Sequence, residues 1–230
     1  MLSVPYVMRA DDIRPYKTKS EVRSMIIQEL KPSKRARDRW LAVLEDGSVL
    51  RVSRNQIADF ALYAGRELSE EEADRLLEAI ENENFRSYAL RVVTETPKSR
   101  NMLLKLLGEK NCQPERAGEI ADWLEGIGLL NDGRYAADVV ELYARKGYGK
   151  RKIRDELYRR GVPRELWDEA LEQIEEEDSA AAIDAFLEKK LKGSHEPKDV
   201  KRASDALARR GFSWPEISDA LRRYGMEVWD

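Results

Sequence analysis

An internal repeat constrains this chain more than any other feature of its sequence. Three leucines recur at a spacing of 50 residues, and so do three residues suited to ending a helix. These are Leu107, Leu157 and Leu207, followed by Asn111, Gly161 and Gly211. Beyond each helix stop, apolar residues follow at i, i+3, i+4 and i+7, the spacing of one helix face. They are Ala117, Ile120, Ala121 and Leu124, then Trp167, Ala170, Leu171 and Ile174, then Ile217, Ala220, Leu221 and Tyr224.

Another helix precedes each leucine and repeats at a spacing of 47 residues. Its apolar positions are Tyr88, Ala89, Val92 and Val93, then Tyr135, Ala136, Val139 and Val140, then Ala182, Ile183, Phe186 and Leu187. Pro114, Pro163 and Pro215 lie near the start of a third helix, where a missing N–H costs little. The pattern predicts three tandem three-helix units, at residues 84–130, 131–177 and 178–230.

The N-terminal part differs from the repeats. Residues 1–20 show no periodicity and are interpreted as a flexible tail, and residues 21–83 as a small α+β cap. Strand-like runs cover Val22–Leu30, Trp40–Glu45 and Ser48–Val52. Asp46 and Gly47 between the last two predict a type I′ hairpin turn. The fold class is therefore mainly α, with a β-hairpin in the N-terminal cap.

Two helices are predicted to complete this cap. Arg54–Tyr63 places apolar residues at i, i+3 and i+4. Ser69 and Glu72 have the spacing of a capping box and open a helix that continues through Ile80.

Bulk composition limits the class of protein. The net charge of −3 gives no overall attraction to nucleic acid, so any such contact must come from local clusters. One cysteine excludes an internal disulfide and favours a reducing compartment. No apolar run resembles a signal peptide or a membrane span, so we expect a cytoplasmic protein.

Catalytic chemistry has little support in the residues present. His195 is the single histidine and is interpreted as a solvated loop residue, while Cys112 aligns with Val162 and Phe212 as a core position. One histidine and one cysteine do not make a usual zinc site. Gly149, Lys150 and Arg151 do not form a phosphate loop, because they follow a helix and lack the preceding glycine. We predict no enzyme activity, no metal and no cofactor.

Basic residues concentrate between the first and second helices of the middle unit. Candidate partner-binding residues there are Arg145, Lys146, Tyr148, Lys150, Arg151 and Arg154. They could instead form surface ion pairs worth about 0–1 kcal/mol each. Positive charge at a helix N-terminus is mildly unfavourable, which suggests that Lys150, Arg151 and Arg154 meet an anion outside the chain. Tyr148, between two glycines, could contact a partner or pack within the turn.

A second basic cluster joins the first two predicted strands. Its residues are Lys31, Lys34, Arg35 and Arg37, with Arg39 at the edge. Loop solubility explains such a cluster, and contact with nucleic-acid phosphates is the alternative.

The middle unit also carries a motif of fixed order. It reads D-x-x-[FY]-A, then a G-x-G turn, then R-x-I-x-x-E-L-x-x-x-G. The residues that carry it are Asp132, Tyr135, Ala136, Gly147, Gly149, Arg151, Ile153, Glu156, Leu157 and Gly161. This pattern resembles the signature of the RecX family, whose members modulate the RecA recombinase.

The resemblance implies a helical array that binds the RecA–DNA filament and inhibits recombinase and co-protease activity. A role in homologous recombination, DNA repair and the SOS response would follow. We expect a monomer whose partner is the RecA filament, with weak contact to single-stranded DNA left open. Two alternatives remain: a DNA-binding helix-turn-helix-like module, or a generic helical adaptor.

Overall fold

The structure, a computed structural model, describes residues 25–34 and 38–225. The predicted tail at residues 1–20 lies outside these ranges. The chain divides into two compact units, with the boundary between Asn84 and Phe85. The described residues form ten α-helices and four strands, which confirms the mainly α fold with an N-terminal hairpin.

The first unit is an antiparallel sheet with helices. Its elements are β1 (Met25–Pro32), β2 (Arg39–Leu44), β3 (Val49–Ser53), α1 (Arg54–Asp59), β4 (Glu67–Leu68) and the first part of α2 (Glu70–Glu95). The strand order is β3-β2-β1-β4. One face is buried, as in the row Leu30, Ala42 and Leu50 across three strands. The two-residue strand β4 was not predicted, because it is too short to show an alternating pattern.

The hairpin turn differs from the predicted type. Gly47 has the expected positive φ of 79°, but Asp46 is not among the residues with positive φ, which type I′ requires. Gly47 N donates to the carbonyl oxygen of Leu44 at 2.9 Å, and Leu44 N donates to that of Ser48 at 2.8 Å. This is a three-residue loop in which a tight turn precedes a left-handed glycine. Asp46 instead uses its carboxylate to accept a hydrogen bond from Ser48 N, at 2.9 Å.

Side-chain caps define both helices of this unit. Ser53 and Gln56 form a capping box at α1, and the predicted box of Ser69 and Glu72 is present at α2. The sequence assigned residues 70–80 and 88–93 to helices of different domains. The structure joins them in α2, because no glycine or proline interrupts the run between them.

The second unit contains the three helical repeats. After the end of α2 come α3 (Arg100–Gly108), α4 (Pro114–Gly126), α5 (Asp132–Arg145), α6 (Lys150–Arg159), α7 (Trp167–Glu172), α8 (Glu176–Leu191), α9 (Pro197–Arg209) and α10 (Trp214–Arg223). A short 3₁₀ turn, Arg164–Leu166, precedes α7. Each successive set of three helices encloses its own hydrophobic core.

The repeat alignment is confirmed at its central positions. Leu107, Leu157 and Leu207 are each 0% exposed, so each contributes about 1.5–3 kcal/mol by burial. The three predicted helix stops all have left-handed backbone, with φ of 64° at Asn111, 69° at Gly161 and 91° at Gly211. Cys112 is buried in the first helical core, as predicted.

Membrane spans and metal-binding clusters are both absent from the described residues. No helix among them is long and apolar enough to cross a membrane. Within the same ranges, no group of three or more His, Cys, Asp or Glu side chains is placed to hold a metal ion.

Candidate partner-binding site

The first two helical repeats are joined through the ends of their second helices. Ser99, the N-cap of α3, donates from Oγ to the carbonyl oxygen of Arg160 at 2.5 Å. Asn101 donates from Nδ2 to the carbonyl oxygen of Gly161 at 2.9 Å. The C-terminal end of α6 therefore lies against the N-terminal end of α3, and we call this contact the first junction.

The second junction repeats this contact 50 residues later. Gly149 N donates to the carbonyl oxygen of Arg210 at 2.9 Å, and Arg151 N donates to that of Gly211 at 3.1 Å. A Cβ atom at Gly149 would lie 2.4 Å from the oxygen of Gly211, and one at Gly211 would lie 2.3 Å from Lys152 N. The two backbones come so close that only glycine fits at either position.

The junctions place α3, α6 and α9 in a head-to-tail row. At the second junction the carbonyls that end α9 meet N–H groups at the start of α6, whereas at the first junction the side chains of Ser99 and Asn101 donate to the carbonyls that end α6. In both contacts the end of one helix lies against the start of another, so the helix dipoles align favourably. The expectation that Lys150, Arg151 and Arg154 meet an anion outside the chain stays a prediction. The negative end of α9 lies at the start of α6 and offsets positive charge there.

Asp132 belongs to the first junction as well. Its Oδ1 accepts a hydrogen bond from Arg100 N at 2.7 Å. Burial raises the pKa of Asp132, and Glu125 raises it further, while the Arg100 hydrogen bond acts in the opposite direction. Arg100 itself pairs with Asp122 at 2.6 Å and with Glu125 at 2.8 Å. This residue of the sequence motif thus ties the second repeat to the first.

Other motif residues form a polar network beside the same junction. Glu156 is buried and pairs with Arg159 and with Arg160. Arg160 donates from Nη1 to the hydroxyl of Tyr135 at 2.9 Å. A hydrogen bond from Arg160 also lowers the pKa of Tyr143, outweighing the opposing effect of burial. The motif therefore encodes contacts within and between repeats.

The predicted partner-binding residues of the middle unit do not all face one place. Arg145 and Lys146 are exposed at the end of α5, where Arg145 lies 3.6 Å from Glu141 and Lys146 lies over the ring of Tyr143. Arg151 is exposed. Arg154 is also exposed and pairs with Asp168 at 3.2 Å.

Tyr148 packs within the turn. It is half-buried, its ring centroid lies 5.5 Å from that of Tyr143, and the guanidinium of Arg210 lies 5.6 Å from its ring. Of the two interpretations of this residue, the structure supports turn packing. Lys150 is also half-buried. Burial alone would raise the pKa of Glu216, but hydrogen bonds with Ser213 and the nearby charge of Lys150 lower it, and the net effect is a lowered pKa.

A groove of about 380 Å³ lies at the second junction, and its lining includes Arg145, Tyr148 and Lys150. Its apolar lining comes from α5, from α8 and the segment before it, and from the turn between α9 and α10, and includes Val140, Ala144, Ile174, Ala182 and Phe212. Its acidic lining consists of Asp138, Glu141 and Asp178. The sequence did not reveal this groove, because its sides come from two repeats.

The second basic cluster lies in the first unit. Lys31 is exposed and pairs with Glu29 at 2.6 Å, and Lys34 is exposed in the loop after β1. Arg35 and Arg37 lie outside the described residues. Lys31, Leu41 and Arg51 form one row across β1, β2 and β3. The open face of the sheet therefore carries basic side chains beside a partly exposed aliphatic one.

Comparisons with known proteins agree with the motif. Residues 131–171 match the family model described as RecX, second three-helix domain. The regulatory protein RecX of Streptomyces coelicolor is 33% identical over 135 residues, which covers 57% of this chain and 72% of that protein. The regulatory protein RecX of Chlorobium limicola is 29% identical, over 60% of this chain and 87% of its own length.

Solved structures share the fold. A crystal structure of regulatory protein RecX matches with a TM-score of 0.65 and 23% identity, over 87% of this chain and 98% of that one. RecX from Lactobacillus salivarius matches with a TM-score of 0.61 and 19% identity, over 64% of this chain and 98% of its own. The extent of these matches and the motif residues at the junctions lead to one conclusion: the chain belongs to the RecX family of regulatory proteins.

Proposed function

We propose that this RecX-type regulator binds the RecA–DNA filament and inhibits recombinase and co-protease activity. The observation that carries the proposal is the repeated junction. Because the same helix-end contact joins the first repeat to the second and the second to the third, similar surfaces recur along the array. A filament presents identical protomers at a regular spacing, and a repeat protein suits such a partner.

Strand exchange by RecA tests this proposal directly. The purified chain should inhibit strand exchange at concentrations comparable to RecA, and should bind RecA assembled on single-stranded DNA more tightly than free RecA. Equal inhibition by a heat-denatured sample would contradict the proposal. Absence of binding to both forms of RecA would leave the generic helical adaptor as the better interpretation.

A second candidate function is direct nucleic-acid contact by the first unit. The row of Lys31, Leu41 and Arg51 on the open sheet face supports it, together with exposed Arg39 on the same face. Binding of single-stranded DNA should then weaken linearly with salt on logarithmic axes, with a slope set by the number of phosphates contacted. Arg39→Ala should reduce that slope, and a flat salt dependence would contradict the assignment.

The helix-turn-helix alternative has weaker support. Such modules place the later helix of the pair in the major groove of DNA. In the middle repeat this helix is α7, which is six residues long and carries Asp168, Glu169 and Glu172. Carboxylates at these positions would face phosphates of the same charge, so we place any nucleic-acid contact in the first unit instead.

A further inference from the structure

The first junction carries a tyrosine at the position equivalent to Ala182, which lines the groove at the second junction. The 47-residue repeat aligns Ala182 of α8 with Tyr135 of α5. The alignment is sound, because the next pair in register, Ala136 and Ile183, is buried in both helices at 0% and 1% exposure. Two equivalent positions therefore carry a methyl group in one repeat and a phenol ring in the other.

The first junction shows what fits at this position. Tyr135 packs against the core of the middle repeat, and its hydroxyl accepts the hydrogen bond from Arg160. Arg160 is itself the residue whose carbonyl accepts from Ser99. A tyrosine ring thus occupies the space beside the joined helix ends at the first junction. At the second junction the equivalent residue is Ala182, whose side chain is a methyl group, and it lines the groove without filling it.

The chemistry of the groove also suits a phenol. Val140, Ile174 and Phe212 give an apolar lining that an aromatic ring can cover. The carboxylates of Asp138, Glu141 and Asp178 provide acceptors for a hydroxyl proton. Buried aromatic anchors of this kind dominate the binding energy of many protein interfaces.

We propose that this groove binds a tyrosine side chain presented by a partner protein. The chemistry of the occupant rests on the comparison between the two junctions and on the lining residues. The identity of the partner rests on the proposed function, which makes RecA the protein that presents the tyrosine.

Titration with p-cresol, the side-chain analogue of tyrosine, tests the occupant without RecA. Methyl NMR resonances of Val140 and Ile174 should shift as p-cresol is added, and toluene, which lacks the hydroxyl, should bind more weakly. Both titrations use the parent protein and so do not depend on a variant that folds. Absence of shifts with p-cresol, or toluene binding as tightly, would overturn the proposal.

A matched pair of variants locates the site. Ala182→Tyr places in the groove the ring that the first junction already carries, and should weaken p-cresol binding about tenfold or more. Ala181→Tyr adds the same ring at the exposed neighbouring position of α8 and should leave binding unchanged. Equal weakening in both variants would overturn the assignment. Stronger p-cresol binding after deletion of residues 226–230 would instead show that this segment competes for the groove, and would overturn a partner's tyrosine as the occupant.

Inhibition of RecA strand exchange tests the partner separately. If RecA presents the tyrosine, Ala182→Tyr should inhibit less than Ala181→Tyr, and equal inhibition by both would overturn RecA as its source. A parent protein that does not inhibit RecA would refute the proposed function alone. The p-cresol titration would still decide what the groove binds.

Discussion

Gly149 and Gly211 approach each other so closely that a Cβ atom on Gly149 would lie 2.4 Å from the carbonyl oxygen of Gly211. The two residues are 62 positions apart in sequence, and they join the start of α6 to the end of α9. Gly149 has φ of −80°, a value that any residue adopts. It is close packing between two repeats, and not backbone conformation, that requires glycine here.

Gly149→Ala should therefore destabilise the helical unit by about 1–3 kcal/mol, because the added methyl group forces the two backbones apart. The measurement is urea unfolding followed by circular dichroism. Gly118→Ala is the matched control, since Gly118 lies within α4 and a Cβ there meets nothing within 4 Å. That variant should gain about 0.5–1 kcal/mol from helix propensity. Similar effects in both variants would contradict the close approach.

Asp132 gives a pH-dependent prediction. Its raised pKa means that the folded state holds the proton more tightly than the unfolded chain does. The stability it contributes is present at acid pH and is lost as the pH rises through the folded-state pKa. Asp132→Asn keeps an oxygen acceptor for Arg100 N and does not ionise. The stability of this variant relative to the parent should therefore rise as the pH increases from acid to neutral.

Urea unfolding at a series of pH values measures this trend. Asp132→Ala removes the acceptor and leaves Arg100 N without this hydrogen bond, so it should be less stable than Asp132→Asn throughout the series. A difference between the asparagine variant and the parent that stays constant with pH would show that Asp132 does not titrate differently in the folded state.

Gly47 makes a prediction for the first unit. With φ of 79° it is in the left-handed region, which β-branched residues avoid. Gly47→Val should destabilise the first unit while the helical repeats stay folded, and Gly47→Asn should be milder, because asparagine tolerates this conformation. Hydrogen exchange of amides in β2 and β3, compared with those in α6, measures the two units separately. Equal protection in the valine variant and the parent would refute the assignment.

Local patterns made the helical repeats predictable from sequence. Leu107, Leu157 and Leu207 stand in helices whose apolar period is visible within a single repeat, and their helix stops follow at a fixed distance. The hairpin could be predicted for the same reason. Its turn type could not, because it depends on the backbone angles of Asp46, and aspartate occurs in several types of turn. Strand β4 has two residues, and its existence depends on pairing with β1, about 40 residues earlier.

The candidate site was only partly predictable, because it depends on contacts between repeats. Sequence placed Arg145, Tyr148 and Lys150 near one turn, and the structure brings all three to the same groove. The opposite side of that groove includes Asp178 and Ala182 of α8, which no local pattern connects to the turn. The contact between the carbonyl end of α9 and the start of α6 beside Lys150 could not be predicted either, because the two segments are about 60 residues apart in sequence.

The position of α9 changes what charge reversal should do. Lys150→Glu would place a carboxylate beside the negative end of α9 and near Glu216, so we expect this variant to lose stability. The sequence alone, which showed only the first turn of a helix, predicts that joint reversal of Lys150, Arg151 and Arg154 keeps or raises stability. Thermal melting measures this effect, and an unchanged or higher melting temperature would contradict the electrostatic role of the second junction.

Arg151 allows partner binding to be tested more cleanly, because its side chain is exposed while its backbone N–H makes the contact with Gly211. Arg151→Glu should keep that backbone contact. If Arg151 faces the RecA filament, the reversal replaces attraction with repulsion and should weaken binding by about 2–5 kcal/mol for a desolvated contact.

Lys201→Glu is the matched control, since Lys201 is exposed at the equivalent position of α9. Inhibition of strand exchange and thermal melting should be measured for both variants. A loss of inhibition confined to Arg151→Glu, with little change in melting, is the expected result. Equal losses in both variants would indicate a general effect of charge on the array, and unchanged inhibition would assign Arg151 to a solvated surface.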